Sequence, residues 1–135
     1  MPTLRIRGVH HIAIIYSNYP ASRRFYHEVL GCAIVREVYR AERDSHKCDL
    51  VIPGGANVQI ELFSFPDPPA RPSRPEARGL RHLALAVEAM DEEVARLGAL
   101  GIDVEPVRTD PATGARYTFI ADPDGLPIEL YEVAG

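Results

Sequence analysis

VHHIAII, residues 9–15, has a near copy in LRHLALA, residues 80–86, and the segments downstream of the two copies decide the fold. His11 and His82 stand 71 positions apart, whereas the tetrapeptides Ile60-Glu61-Leu62-Phe63 and Ile128-Glu129-Leu130-Tyr131 stand 68 apart. One unit used twice, with slightly different loop lengths, accounts for both offsets. Each His segment is followed by a polar break and a helical pattern. In the first copy Asn18 suits an N-cap and Pro20 the first turn, Phe25/Val29 and Tyr26/Leu30 fall four apart, and Gly31 stops the helix. In the second, Asp91 is the candidate N-cap, and Glu92 and Glu93 suit the positive end of the helix dipole. There Met90, Val94 and Leu97 share a face, and Gly98 or Gly101 closes the helix. Strand patterns come next at 33–39, 48–52 and in NVQIELFSF (57–65), then at 102–108, 116–121 and in LPIELYEV (126–133). PGGA (53–56) and DPDG (122–125) are the last turns of the two copies. The expected fold is α+β: two βαβββ modules, about 8–63 and 80–133, in a single domain over 1–135.

Between the modules lies SFPDPPARPSRPEARG (64–79). Its five prolines exclude a helix and disfavour a central strand, so it reads as a stiff connector. Arg71, Arg74 and Arg78 would let it close over an anionic ligand.

Composition narrows the function. The chain has 135 residues, 46% hydrophobic and 25% charged, a globular mix. Fifteen Lys and Arg against nineteen Asp and Glu give a net charge of −4 without a basic block, so nucleic acid is not an expected partner. No apolar run has the length of a membrane span, and IAII (12–15) is too short for a signal peptide core. Cys32 and Cys48 make no disulfide framework; a cytoplasmic protein with free thiols is expected.

Strand alternation places His11 on one face with Ala13, and His82 with Ala84 and Ala86. The bulky Ile12, Ile14, Leu83 and Leu85 point the other way. Each His thus lies on a face kept clear by small residues. Glu61 and Glu129 sit between apolar neighbours, where a carboxylate must be paired or bound to a metal. Two imidazoles and two carboxylates suit a divalent first-row ion. Phe63 and Tyr131 share faces with the two Glu residues and are candidate pocket walls.

HHIAI (10–14), FYHEVLG (25–31), IELF (60–63), RHLAL (81–85) and DPDGLPIELYE (122–132) together resemble the vicinal oxygen chelate superfamily, which includes glyoxalase I, bleomycin resistance proteins and extradiol dioxygenases. ELFSFP with RPSRPEARGLRHLA, within 61–84, further resembles a small bacterial branch of glyoxalase-like proteins. The resemblance implies a cupped mixed sheet around one metal ion (Zn, Ni, Co, Mn or Fe), with His11, Glu61, His82 and Glu129 as its four ligands. It implies a lyase or isomerase acting on a small-molecule substrate, with Glu129 or Glu61 abstracting a proton next to a metal-bound carbonyl, and a homodimer as the assembly. Other metal enzymes of the superfamily, a dioxygenase or a thiol transferase, and a metal-free resistance or binding protein are the alternatives.

Two positions depart from bacterial glyoxalase I, which carries an Arg four residues after its first His ligand and an Asn four residues after its first Glu ligand. Here these are Ile15 and Phe65, neither of which can hold a carboxylate, so use of glutathione is not expected. Arg43, Arg74 and Arg116 are the candidate anion contacts.

Overall fold

The helix expected after the first His segment begins where its cap predicts. In the computed structural model, which describes residues 2–135, Asn18 Oδ1 accepts the Ala21 N–H at 3.0 Å, with Pro20 in the first turn. An Asn18→Ala variant should lose about 1 kcal/mol of stability, read as a lower urea midpoint at unchanged slope. Helix α1 (Tyr19–Arg24) runs on into a π-helical turn, Phe25–Val29, and Gly31 ends it at φ 79°, a conformation that favours glycine.

The chain divides into two compact units, up to Pro68 and from Pro69, so the division falls inside the Pro-rich stretch. The first unit holds β1 (His11–Ile15), α1, β2 (Ala33–Arg40), β3 (Ser45–Val51) and β4 (Gln59–Phe63), with a short 3₁₀ turn at Ala41–Arg43. The second holds β5 (Leu83–Val87), α2 (Met90–Ala99), β6 (Arg108–Thr109), β7 (Arg116–Ala121) and β8 (Pro127–Glu132). Each has a four-stranded mixed sheet, ordered β1-β4-β3-β2 and β5-β8-β7-β6. In both, the first strand pairs parallel with the last and the other pairs are antiparallel. The α+β architecture built from one motif used twice is therefore present.

Alternation sorts the faces. Ile60 and Leu62 on β4 are fully buried, as are Cys48 and Leu50 on β3 and Tyr26 beyond α1. In the second unit Ile128, Leu130, Thr118 and Ile120 are buried, with Met90 and Leu97 of α2. Side chains between these positions, Glu61 and Glu129 among them, point to the opposite face of each sheet.

Two local expectations are corrected. Helix α2 starts at Met90 with Ala89, not Asp91, at the cap position and no capping bond from it. The Glu132 carboxylate of β8 accepts the Met90 N–H instead, and Asp91 bonds Arg116. The apolar alternation at 102–108 predicts a strand, but only Arg108–Thr109 pairs as one. Pro106 has no N–H to give a ladder, so Glu105 makes isolated bonds, its N–H to Phe119 O and its carbonyl to Thr118 Oγ1. No helix among the described residues is long and apolar enough to cross a membrane.

Candidate functional site

Register explains why a His and a Glu meet in each unit. Ala13 pairs with Glu61 across β1 and β4, and Ala84 pairs with Glu129 across β5 and β8. His11 and His82 lie two residues before those alanines, on the same face. Glu61 Oε2 is 3.6 Å from His11 Nδ1, and Glu129 Oε1 is 3.3 Å from His82 Nε2. The carboxylates are mostly covered, with side-chain exposures of 15% and 16%. Imidazole nitrogen beside carboxylate oxygen is the donor chemistry of a divalent first-row ion, and each unit offers one such pair. Among the described residues no three or more His, Cys, Asp or Glu side chains gather into a group that could hold a metal ion.

The two pairs keep different company. Lys47 Nζ stands 3.6 Å from Glu61 Oε1 and 2.8 Å from Asp49 Oδ1, and Arg36 Nε is 3.2 Å from Asp49 Oδ2. Asp49 faces Glu61 in the β3–β4 register and its side chain is 5% exposed. Burial pushes its carboxyl up, but the hydrogen bonds from Lys47 and Arg36 prevail and hold it below the usual carboxylate range. Such a lowered group stabilises the fold fully above its unfolded value of about 3.9, and that contribution fades as pH falls through the lower folded value. Asp49→Asn should therefore cost about 1.5–3 kcal/mol at neutral pH. Thermal melts from pH 7 to pH 2 should show the gap to the native chain closing at the acid end.

Glu129 is bordered by rings rather than cations. Phe119 faces it across β7 and β8, and the His82 and Phe119 rings meet edge to face at 5.1 Å. Arg81 Nη1 lies 3.1 Å from His82 Nδ1. Arg donates only, so His82 accepts at Nδ1 and carries its proton on Nε2, towards Glu129.

The remaining candidates are spread over both units. Phe63 lies on the Glu61 face, with Lys47 5.1 Å and Arg40 5.9 Å from its ring centre. Tyr131 lies on the Glu129 face, its hydroxyl bonded to Asp110 at 3.0 Å and to Thr113. Arg43 lines a cleft of about 830 Å³ in the first unit, with Tyr16, His46 and Phe65. Arg74 lines a smaller hollow in the second unit, 3.7 Å from Glu105. Arg116 alternates to the face of Thr118 and Ile120, opposite Glu129, where Glu132 and Asp91 hold its guanidinium. Both thiols are free and buried; burial pushes Cys32 up to about 11, which makes it a poor nucleophile.

Lys47, Asp49, Arg81 and Phe119 are site neighbours that no sequence motif singles out. Asp49, a carboxylate flanked by Cys48 and Leu50, carries the same signal as Glu61. The strand that holds it begins at Ser45 rather than at 48, which brings Lys47 into the sheet.

Comparison with known proteins gives a consistent answer. The chain is 55% identical over 127 residues to protein YwkD of Bacillus subtilis (strain 168), spanning 94% of this chain and 98% of that one. It is 54% identical over 129 residues to protein YaeR of Escherichia coli (strain K12), spanning 96% and 98%. A crystal structure of a glyoxalase family protein from Enterococcus faecalis superposes with a TM-score of 0.84 at 46% identity, covering 96% of this chain and 100% of that one. The family model for the Glyoxalase/Bleomycin resistance protein/Dioxygenase superfamily matches residues 8–130, and with the repeated βαβββ motif and its matched His–Glu pairs this makes the chain a member of that superfamily.

Proposed function

We propose that the protein is a divalent-metal-dependent lyase or isomerase of glyoxalase type, acting on a small oxygenated carbonyl compound. The observation that carries this reading is the duplicated register, His two residues ahead of an Ala that pairs with a Glu, once in each unit. In this reading His11, Glu61, His82 and Glu129 hold one ion (Zn, Ni, Co, Mn or Fe), within one chain or across the two chains of a homodimer. The ion supplies Lewis acidity towards the substrate carbonyl and its neighbouring oxygen.

The chain's own residues do the rest. Glu129 takes the proton from the carbon next to the carbonyl and returns it to the adjacent carbon. Glu129 is preferred to Glu61 because Lys47 pins Glu61, whereas among the described residues no Lys or Arg is ion-paired with Glu129. Phe63 and Tyr131 wall the site and keep water from the carbanionic species. Arg43 and Arg74 are the anion contacts on offer.

Lys47 also supports a second reading, a small-molecule binding protein, since an ammonium beside Glu61 satisfies that carboxylate without an ion. Metal analysis of protein purified without chelator separates the two. A stoichiometric first-row ion supports the enzyme; protein that stays metal-free and takes up none of the five ions supports the binder.

A further inference from the structure

The Pro-rich stretch does more than join two units. From Pro69 onward it belongs to the second unit, where Ser73 Oγ donates to Gly125 O at 3.0 Å and Arg71 Nη2 donates to the carbonyls of Leu80 and Arg81. Held this way, it borders a hollow of about 140 Å³ lined by Arg71, Arg74, Arg81 and Arg108 against Glu76 and Glu105. Four arginines thus line it with two glutamates. Glu105 is 2.7 Å from Arg108 and 3.7 Å from Arg74, and Glu76 is 3.4 Å from Arg81. Arg71 has no carboxylate partner among the described residues, and its Nε is buried without an acceptor. A surplus of planar donor forks around a small space is the chemistry that binds carboxylate or phosphate oxygens.

The hollow also adjoins the His82–Glu129 pair. Phe119 lines it, touches the His82 ring edge to face and faces Glu129 in the sheet register. Arg81 lines it too, with its guanidinium 5.9 Å from the Phe119 ring centre and 3.1 Å from His82. We propose that this hollow is an oxyanion subsite, so that the substrate of the proposed reaction is a small carbonyl compound bearing one carboxylate, phosphate or phosphonate group. That the bound anion is part of a substrate rests on the metal-enzyme reading; binding of the anion does not. A space of this size takes one oxyanion head group and falls short of a pocket for a drug-sized ligand.

The test uses the full chain after chelator treatment, so that no metal contributes. Inorganic phosphate and acetate are titrated separately at constant ionic strength, while the arginine Nε–Hε resonances are followed by NMR. The expected result is saturable shifts of Arg71, Arg74, Arg81 and Arg108 with at least one of the two anions. Phosphate binding more tightly assigns a phosphate or phosphonate substrate, and acetate binding more tightly assigns a carboxylate. Arg74→Gln and Arg108→Gln, at exposed positions that should leave the fold intact, should each weaken that binding by roughly tenfold. Shifts that never saturate, or affinities unchanged in both variants, would overturn the subsite. So would binding that appears only when metal is restored, because the anion would then belong to the ion. Failure to bind metal, with these arginine shifts intact, would remove the enzyme reading and leave the anion site standing.

Discussion

Protein purified without chelator should hold one divalent ion per set of His11, Glu61, His82 and Glu129, and His11→Ala or His82→Ala should abolish stoichiometric retention. Each change removes one of the two imidazoles of the proposed ligand set, which the register places on the faces of Glu61 and Glu129. Glu129→Gln should keep the fold, since the side chain is isosteric and its partner His82 can still donate to an amide oxygen. It should lower turnover by a factor of about 10²–10⁴, the usual contribution of a positioned base. Glu61→Gln should act mainly on metal affinity, because Lys47 and not a free carboxylate then dominates that corner.

The same variants decide where the ligands come from. If each ion uses one unit from each of two chains, mixing His11→Ala with His82→Ala chains restores one complete site per heterodimer. If each ion is held within one chain, no mixture restores any. Metal content and turnover of unfolded and refolded mixtures give the readout. Retention of the ion by both single variants alone would remove the four-ligand reading altogether.

The repeat was legible because it repeats chemistry as well as hydrophobicity. IELF and IELY put a carboxylate at the same place on the last strand of each unit, and alternation alone turns that carboxylate away from Ile60, Leu62, Ile128 and Leu130. The N-cap at Asn18 was legible for a similar local reason. The features that escaped the sequence depend on contacts between elements. Glu132 anchors the start of α2 from a strand 42 residues away, a role no local pattern marks. Arg116 is one residue off the face its reading as an anion contact requires, and register alone settles that. The Arg-lined hollow arises because Arg71 grips the carbonyls of Leu80 and Arg81, which lie nine and ten residues further along.

The methylglyoxal–glutathione adduct should be turned over little or not at all, even by fully metallated protein. Ile15 closes β1 about half exposed, in register with Phe63, and Phe65 is about half exposed along the first unit's cleft. At these two places bacterial glyoxalase I has an Arg and an Asn, and neither an alkyl nor a phenyl group can replace a contact to a carboxylate. Each such contact contributes roughly 1.5–3 kcal/mol. Losing both should lower kcat/KM by about 10²–10⁴. Arg43 lines the same cleft as Phe65 and, among the described residues, is the one guanidinium lining it that could make up part of the loss. The assay is thioester formation with the Zn, Ni, Co and Mn forms. A rate near that of an ordinary glyoxalase I would mean that Arg43 or another group holds the peptide, and that Ile15 and Phe65 do not set specificity. With the expected low rate, the double change Ile15→Arg and Phe65→Asn should raise kcat/KM, and Arg43→Gln in that background should lower it again if Arg43 contributes. No gain from the double change would assign the exclusion to the shape of the cleft, because the missing charge would then have been supplied to no effect.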